Sequence, residues 1–193
     1  MKYILSIMAA VLLCHQYAPA QVQYPRFDTL MTVGKAGFRL YCRNKDFGQN
    51  QIRIRPFGFE STARELNFYI KGFIYAAMVD DLNNDGYPDM VLFIKTDSSG
   101  IFGTVYAFSS DQNKSIVPIP MPDIQLDGKL DQGYKGHDEF SLMEGTIMRK
   151  FPVYKAGDES NNPTGGRRAI QYIIVGKAES GIKFKVVQSF ELK

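Results

Sequence analysis

Residues 79–93 read VDDLNNDGYPDMVLF. Asp80, Asp81, Asp85 and Asp89 crowd the approach to an apolar run that continues through Ile94. A short run with no polar interruption, entered through Asn, Asp, Gly and Pro, is the pattern of a strand buried on both faces. The surrounding chain agrees with that reading. Phe38, Leu40 and Cys42 alternate with Arg39, Tyr41 and Arg43, and Ile52, Ile54 and Pro56 alternate with Arg53 and Arg55. Such a period of two belongs to strands with one wet face. Asn67–Met78, Met90–Lys95, Gly103–Ser109, Ile147–Tyr154, Ala169–Gly176 and Ile182–Leu192 have the same character, with turn residues between them. Lys177–Gly181 is short enough for the last two strands to form a hairpin. Only Asp123–Tyr134 has room for a short helix, and Gly128 and Gly133 limit it. The expected fold is all-β and mainly antiparallel, a β-sandwich or strongly bent sheet with at most one or two short helices.

The first twenty residues read differently. Lys2, the apolar Ile4–Leu13 and the small-x-small Ala18-Pro19-Ala20 before Gln21 match a secretory signal peptide. The apolar part is shorter than a spanning helix needs. Cys14 follows Leu13, whereas lipid attachment wants a small residue there. Cleavage near Ala20 is therefore expected, with anchorage at Cys14 the disfavoured alternative. Residues 21–193 then form one β-rich domain, periplasmic or secreted, with no transmembrane segment. Its charge is close to balance, 22 basic residues against 20 acidic once Lys2 is removed. Such a balance offers no argument for nucleic acid. Cys42 becomes the only cysteine, so no internal disulfide forms, and its place in FRLYCRN suits a buried thiol. Gly157–Arg168 (GDESNNPTGGRR) is the most loop-like span, a surface loop whose arginines could otherwise meet an acidic partner.

Asp81, Asn83, Asp85, Gly86 and Asp89 fit D-x-[DN]-x-D-G-x-x-D. Alternate side chains of a tight loop can converge on one point, and a hard dication wants six or more oxygens there. Glycine at the sixth place lets the chain turn. The Tyr87 carbonyl would add a ligand, and Asp89 would close the shell. The expected ion is Ca²⁺, in a structural role; an Asx-rich turn needing no metal is the alternative. The twelfth place is Leu92, not Glu, and a strand follows, so the loop is not an EF-hand. It resembles the calcium loops of the FG-GAP and VCBS repeats, here in a single copy.

Reading on through Asp111, the chain resembles the bacterial periplasmic inhibitors of invertebrate-type lysozyme. An acidic loop and apolar strand lead into a small-residue loop, SSGIF, and the aromatic strand TVYAF. The likeness covers residues 68–108. It implies a β-rich exported protein whose loop enters a lysozyme cleft. The Ser-Gly-x-x-Tyr-like motif of that family falls on Ser99, Gly100 and Phe102, with Phe102 lacking the tyrosine hydroxyl. Ser98, Ser99, Gly100, Ile101 and Phe102 are the expected partner-binding residues. The serines would offer hydroxyls to the paired carboxylates of a glycosidase cleft, and Ile101 and Phe102 would cover its sugar-binding surface. Lys95 could add a favourable charge. Tyr106 and Phe108 fit the core or a sheet face.

No catalytic constellation is legible. With His137 and Cys42 alone after Ala20, neither a His₃ nor a Cys₂His₂ zinc site can be assembled. A nucleophile elbow, a phosphate loop and a dinucleotide fingerprint are all missing. His137-Asp138-Glu139 reads as a polar turn before a strand at Phe140, and Glu139 with Glu144 leaves a hydrolase pair open. The expectation is a non-enzymatic binding protein whose partner is a lysozyme. The alternative is a calcium-binding FG-GAP/VCBS-like envelope domain that binds another protein or a glycan.

Overall fold

The computed structural model describes residues 24–192, so the expected signal peptide, its cleavage site and Cys14 lie outside the described residues. Twelve strands form three four-stranded sheets. The first holds β1 (Phe27–Val33), β2 (Ala36–Cys42), β3 (Asn50–Phe57) and β4 (Leu66–Ile70). The middle sheet holds β5 (Phe73–Asp80), β6 (Asp89–Lys95), β7 (Gly103–Asp111) and β8 (Ser115–Pro120). The third holds β9 (Glu139–Met143), β10 (Thr146–Pro152), β11 (Arg167–Val175) and β12 (Lys183–Leu192). Within each sheet the strands pair antiparallel in chain order, so one meander topology occurs three times. A single 3₁₀ turn, Ile124–Leu126, is the only helical element among the described residues, and the Asp123 side chain caps it. The fold is all-β, as the sequence pattern leads one to expect.

The apolar run 90–94 explains the layering. Met90, Leu92 and Ile94 pack with Phe38, Leu40, Cys42, Ile52 and Ile54 of the first sheet. Val91 and Phe93 pack with Phe140, Ile147, Phe151, Ile170 and Tyr172 of the third. Successive side chains of a strand point to opposite faces, so the stretch 90–94 serves two cores at once and has no polar position to spare. Burial of this kind contributes about 1.5–3 kcal/mol for each large apolar side chain. By contrast β2 and β3 bury one face only, with Arg39, Arg53 and Arg55 exposed on the other. Cys42 is buried and free, and burial pushes its thiol pKa up.

The stretch Asn67–Met78 divides into two strands at Lys71-Gly72, and the division carries the chain from the first sheet to the middle one. Gly72 has φ +125°, and a Cβ on it would lie 2.2 Å from the Lys95 carbonyl oxygen. Among the described residues no helix is long and apolar enough to cross a membrane.

Candidate functional site

The acidic loop between β5 and β6 is tied up by its own backbone. Asp81 accepts the amides of Asp85 (3.0 Å) and Gly86 (2.9 Å), and Asp85 accepts that of Tyr87 (3.0 Å). The Asn83 amide donates to Asp85 (2.9 Å) and to the Gly176 carbonyl (3.1 Å), which joins the loop to the turn before β12. Gly86 turns with φ +87°. Asp89 is different. It is fully buried, and one carboxylate oxygen takes the Leu82 amide at 2.8 Å. The other, Oδ1, has no hydrogen-bond partner, nor does the buried Ser109 hydroxyl on the strand position opposite.

An orphaned buried carboxylate oxygen is costly unless something satisfies it. Oxygens of Asp81, Asn83, Asp85 and Asp89, with the Tyr87 carbonyl, are hard donors, and a carboxylate oxygen holding one amide keeps a further lone pair. The donor set thus suits a hard dication. Among the described residues no three Asp, Glu, His or Cys side chains are gathered closely enough to hold a metal ion. A cation here would therefore draw on the Asn83 amide oxygen and the Tyr87 carbonyl as well as carboxylates.

The neighbouring loop, Asp97–Phe102, is built around Asp97. Its carboxylate accepts the Phe102 amide (2.6 Å), the Ser99 amide (3.2 Å) and the Ser99 hydroxyl. Burial would push the Asp97 pKa up, but these hydrogen bonds outweigh it and hold the carboxyl below the usual range. Ser98 and Ser99 are exposed at the tip. Ile101 and Phe102 are held down instead. The Ile101 carbonyl accepts the Asp138 amide at 3.1 Å, and the Phe102 ring meets Tyr134 edge-on at 6.1 Å. A Cβ on Gly136, where φ is +90°, would come within 2.6 Å of Ile101 Cγ2. The five expected partner-binding residues therefore share one loop, with Ser98, Ser99 and Phe102 exposed and Gly100 and Ile101 half-buried.

A buried polar cluster lies beneath the loop. His137 and Asp138 lie in the irregular stretch just before β9, with His137 at φ +61°, and Glu139 is the first residue of the strand. Asp138, however, is fully buried. Its Oδ1 accepts Arg149 Nε at 2.7 Å; its Oδ2 accepts the Tyr134 hydroxyl at 2.6 Å and the Gly103 amide at 2.9 Å. Arg149 also donates to Tyr134 (2.9 Å), and Lys95 Nζ donates to the Asp138 carbonyl (2.7 Å). Burial alone would lower the Arg149 pKa, but Asp138 outweighs it and raises it. Burial and the bond to Asp138 push the Tyr134 hydroxyl well up. Removing one partner of such a buried pair strands a charge, at a cost of about 3–5 kcal/mol. Lys95 is thus a tether for the loop base rather than a free charge. The signal in the sequence was Arg149, an arginine on the inward side of the alternation Ile147-Arg149-Phe151.

An open cavity of about 370 Å³ adjoins the loop, lined among others by Thr96, Phe102, Asp123, Gln125, Tyr134 and Arg149. The alternative carboxylate pair does not form. Glu139 opens β9 and bonds Arg167, while Glu144 lies beyond the strand's far end. Five residues of strand separate them by about 16 Å. The arginines of the 157–168 loop are likewise engaged within the chain. Arg167 pairs with Glu139, and Arg168 pairs with Glu191 and donates to the carbonyls of Lys129, Leu130 and Gln132.

Comparison with family models, curated proteins and solved structures finds no match for the chain.

Proposed function

We propose that this chain is an exported, non-catalytic recognition protein that presents Ser98 and Ser99 to a partner cleft, in the manner of the periplasmic lysozyme inhibitors it resembles. Its acidic loop, Asp81 to Asp89, holds a structural Ca²⁺ that fixes the entry to β6. The observation that carries the reading is the Asp97 hub: the loop is shaped before any partner arrives, with two hydroxyls at its tip and a polar cavity at its side. A preshaped loop loses little conformational entropy on docking. In a glycosidase cleft the loop would meet one protonated and one ionised carboxyl group; the Ser98 hydroxyl can donate to the ionised one, and the Ser99 hydroxyl, whose proton is held by Asp97, can accept from the protonated one. Asp138 takes no part in chemistry under this reading, because both its oxygens are spent on Arg149, Tyr134 and the Gly103 amide.

A turbidity assay tests it. Lysis by at least one of the invertebrate-, chicken- and goose-type lysozymes should slow at micromolar protein, and Ser99→Ala should weaken the effect. Undiminished lysis by all three removes the reading. The anchoring of Ile101 and Phe102 favours a second one, a calcium-stabilised envelope domain with another protein or glycan as partner. There, substitutions at Ser99 and Phe102 leave binding intact while Asp85→Ala unfolds the domain.

A further inference from the structure

The outer face of the first sheet carries an unusual concentration of arginine. The chain has nine arginines, and Arg39, Arg43, Arg53 and Arg55 lie on or just beyond β2 and β3, with Arg26 beside β1. Register places Arg39 opposite Arg55 and Tyr41 opposite Arg53. Like charges facing each other across a sheet are unfavourable, so the arrangement costs stability unless an anion offsets it. Among the described residues, only Arg39 of these five has a carboxylate within ion-pair distance, Asp28 at 2.8 Å. Arg26 and Arg53 lie over the Tyr41 ring, 5.6 and 4.7 Å from its centroid, and Arg43 Nε donates to its hydroxyl at 3.4 Å. The Arg43 hydrogen bond and the charges of the three arginines hold the Tyr41 pKa below its ordinary value.

An open trough of about 700 Å³ runs along this face, past Tyr41, Arg43, Arg53, Gln51, Asn67 and Tyr69. Lys45, Asp46 and Glu65 also border it. Tyr69 is 59% exposed, and the Gln51 and Asn67 amides bond each other at 2.9 Å, leaving one oxygen and one NH₂ free for hydroxyl groups.

We propose that this face binds a linear acidic polysaccharide, with the arginines on its carboxylates and the amides and Tyr69 on its sugar rings. The cations recur at alternate or fourth positions along two strands, about 6.8 Å per residue pair. They form rows, which match a polymer with repeated charge better than a single ion. Guanidinium groups suit carboxylates through paired hydrogen bonds. A single-stranded nucleic acid would want several open aromatic faces in succession for stacking; of the two rings that border the trough, Tyr41 is covered by arginine and Tyr69 alone is open. The site is separate from the Ser98–Ser99 loop, and the proposal does not rest on that loop's function.

Calorimetry with oligogalacturonate on the full chain tests it. Binding should appear, weaken as salt rises, and be missing for a neutral oligosaccharide of equal length. Arg53→Gln and Arg43→Gln should each lower affinity tenfold or more with unchanged melting temperature, while Ser98→Ala/Ser99→Ala leaves it intact. The proposal is overturned by no binding at millimolar ligand, by affinity within twofold of the parent in both arginine variants, or by equal or tighter binding to an oligothymidylate of matching charge.

Discussion

At the scale of single residues, Asp89 holds the most informative contradiction. It sits where β6 begins, in register with Asp80 and Ser109, without access to water. Burial is the largest influence and pushes its carboxyl up. The Ser109 hydroxyl and the Leu82 amide pull it down, the charge of Asp85 pushes it up, and the balance lies at about 6. Ser109 faces the carboxyl without closing a hydrogen bond on it, whereas the Leu82 amide bonds it at 2.8 Å. An acid whose pKa is raised by folding favours the native state while protonated. In chelated protein the contribution of Asp89 is therefore fully present below pH ~4 and lost as pH rises through about 6, a change of roughly 3 kcal/mol. Asp97 and Asp158, both held low, act in the opposite sense and lose their contribution as pH falls. The comparison that isolates Asp89 is the parent against Asp89→Asn, melted in chelator from pH 4 to pH 7. The parent should lose stability relative to the variant across that range, and millimolar Ca²⁺ should restore it by favouring the ionised form. Parallel curves would show that Asp89 titrates no differently in the folded chain.

At the scale of elements, legibility followed burial. β6 was plain because two cores demand an unbroken apolar run, and β2 and β3 because one core demands alternation. β1 and β8 left no comparable trace. β1 has no fully buried residue, and β8 carries Pro118 and Pro120, tolerated because it edges its sheet. The acidic loop and the Asp97 loop could be placed from spacing and turn residues, whereas the Asp138–Arg149 pair could not, since it joins positions eleven apart through a sheet pairing that sequence does not display. The crossing at Lys71-Gly72 was hidden for a related reason: one Gly interrupts an otherwise strand-like stretch. Here the backbone itself fixes the choice of residue. Gly72→Ala would force a Cβ against the Lys95 carbonyl at a positive φ. Backbone strain of this sort costs of the order of 1–3 kcal/mol before the clash is counted. The variant should melt well below the parent in thermal denaturation, whereas Gly86→Ala, strained but with nothing within 4 Å of its Cβ, should lose distinctly less. Equal losses would show that the approach to Lys95 is not what restricts position 72.

For the whole molecule, the decisive feature is that the middle sheet belongs to both cores. Three stacked meanders with two separate cores could melt as two units, one after the other. Sharing β6 argues against that, because Leu92 and Phe93 are neighbours in one strand yet lie in different cores. Displacing the strand to relieve one core must disturb the other. The acidic loop strengthens the coupling, since Asn83 reaches the Gly176 carbonyl, just past the end of β11, while its own loop leads into β6. Leu92→Ala, a truncation in the core shared with the first sheet, should cost about 2–5 kcal/mol. Amide hydrogen exchange reads how far that loss spreads. Protection should fall by a similar factor in β2, which faces the altered core, and in β11, which faces the intact one, with a single denaturation transition. Loss confined to β2, or a second transition belonging to the third sheet, would mean that the layers unfold independently and that β6 transmits nothing between them.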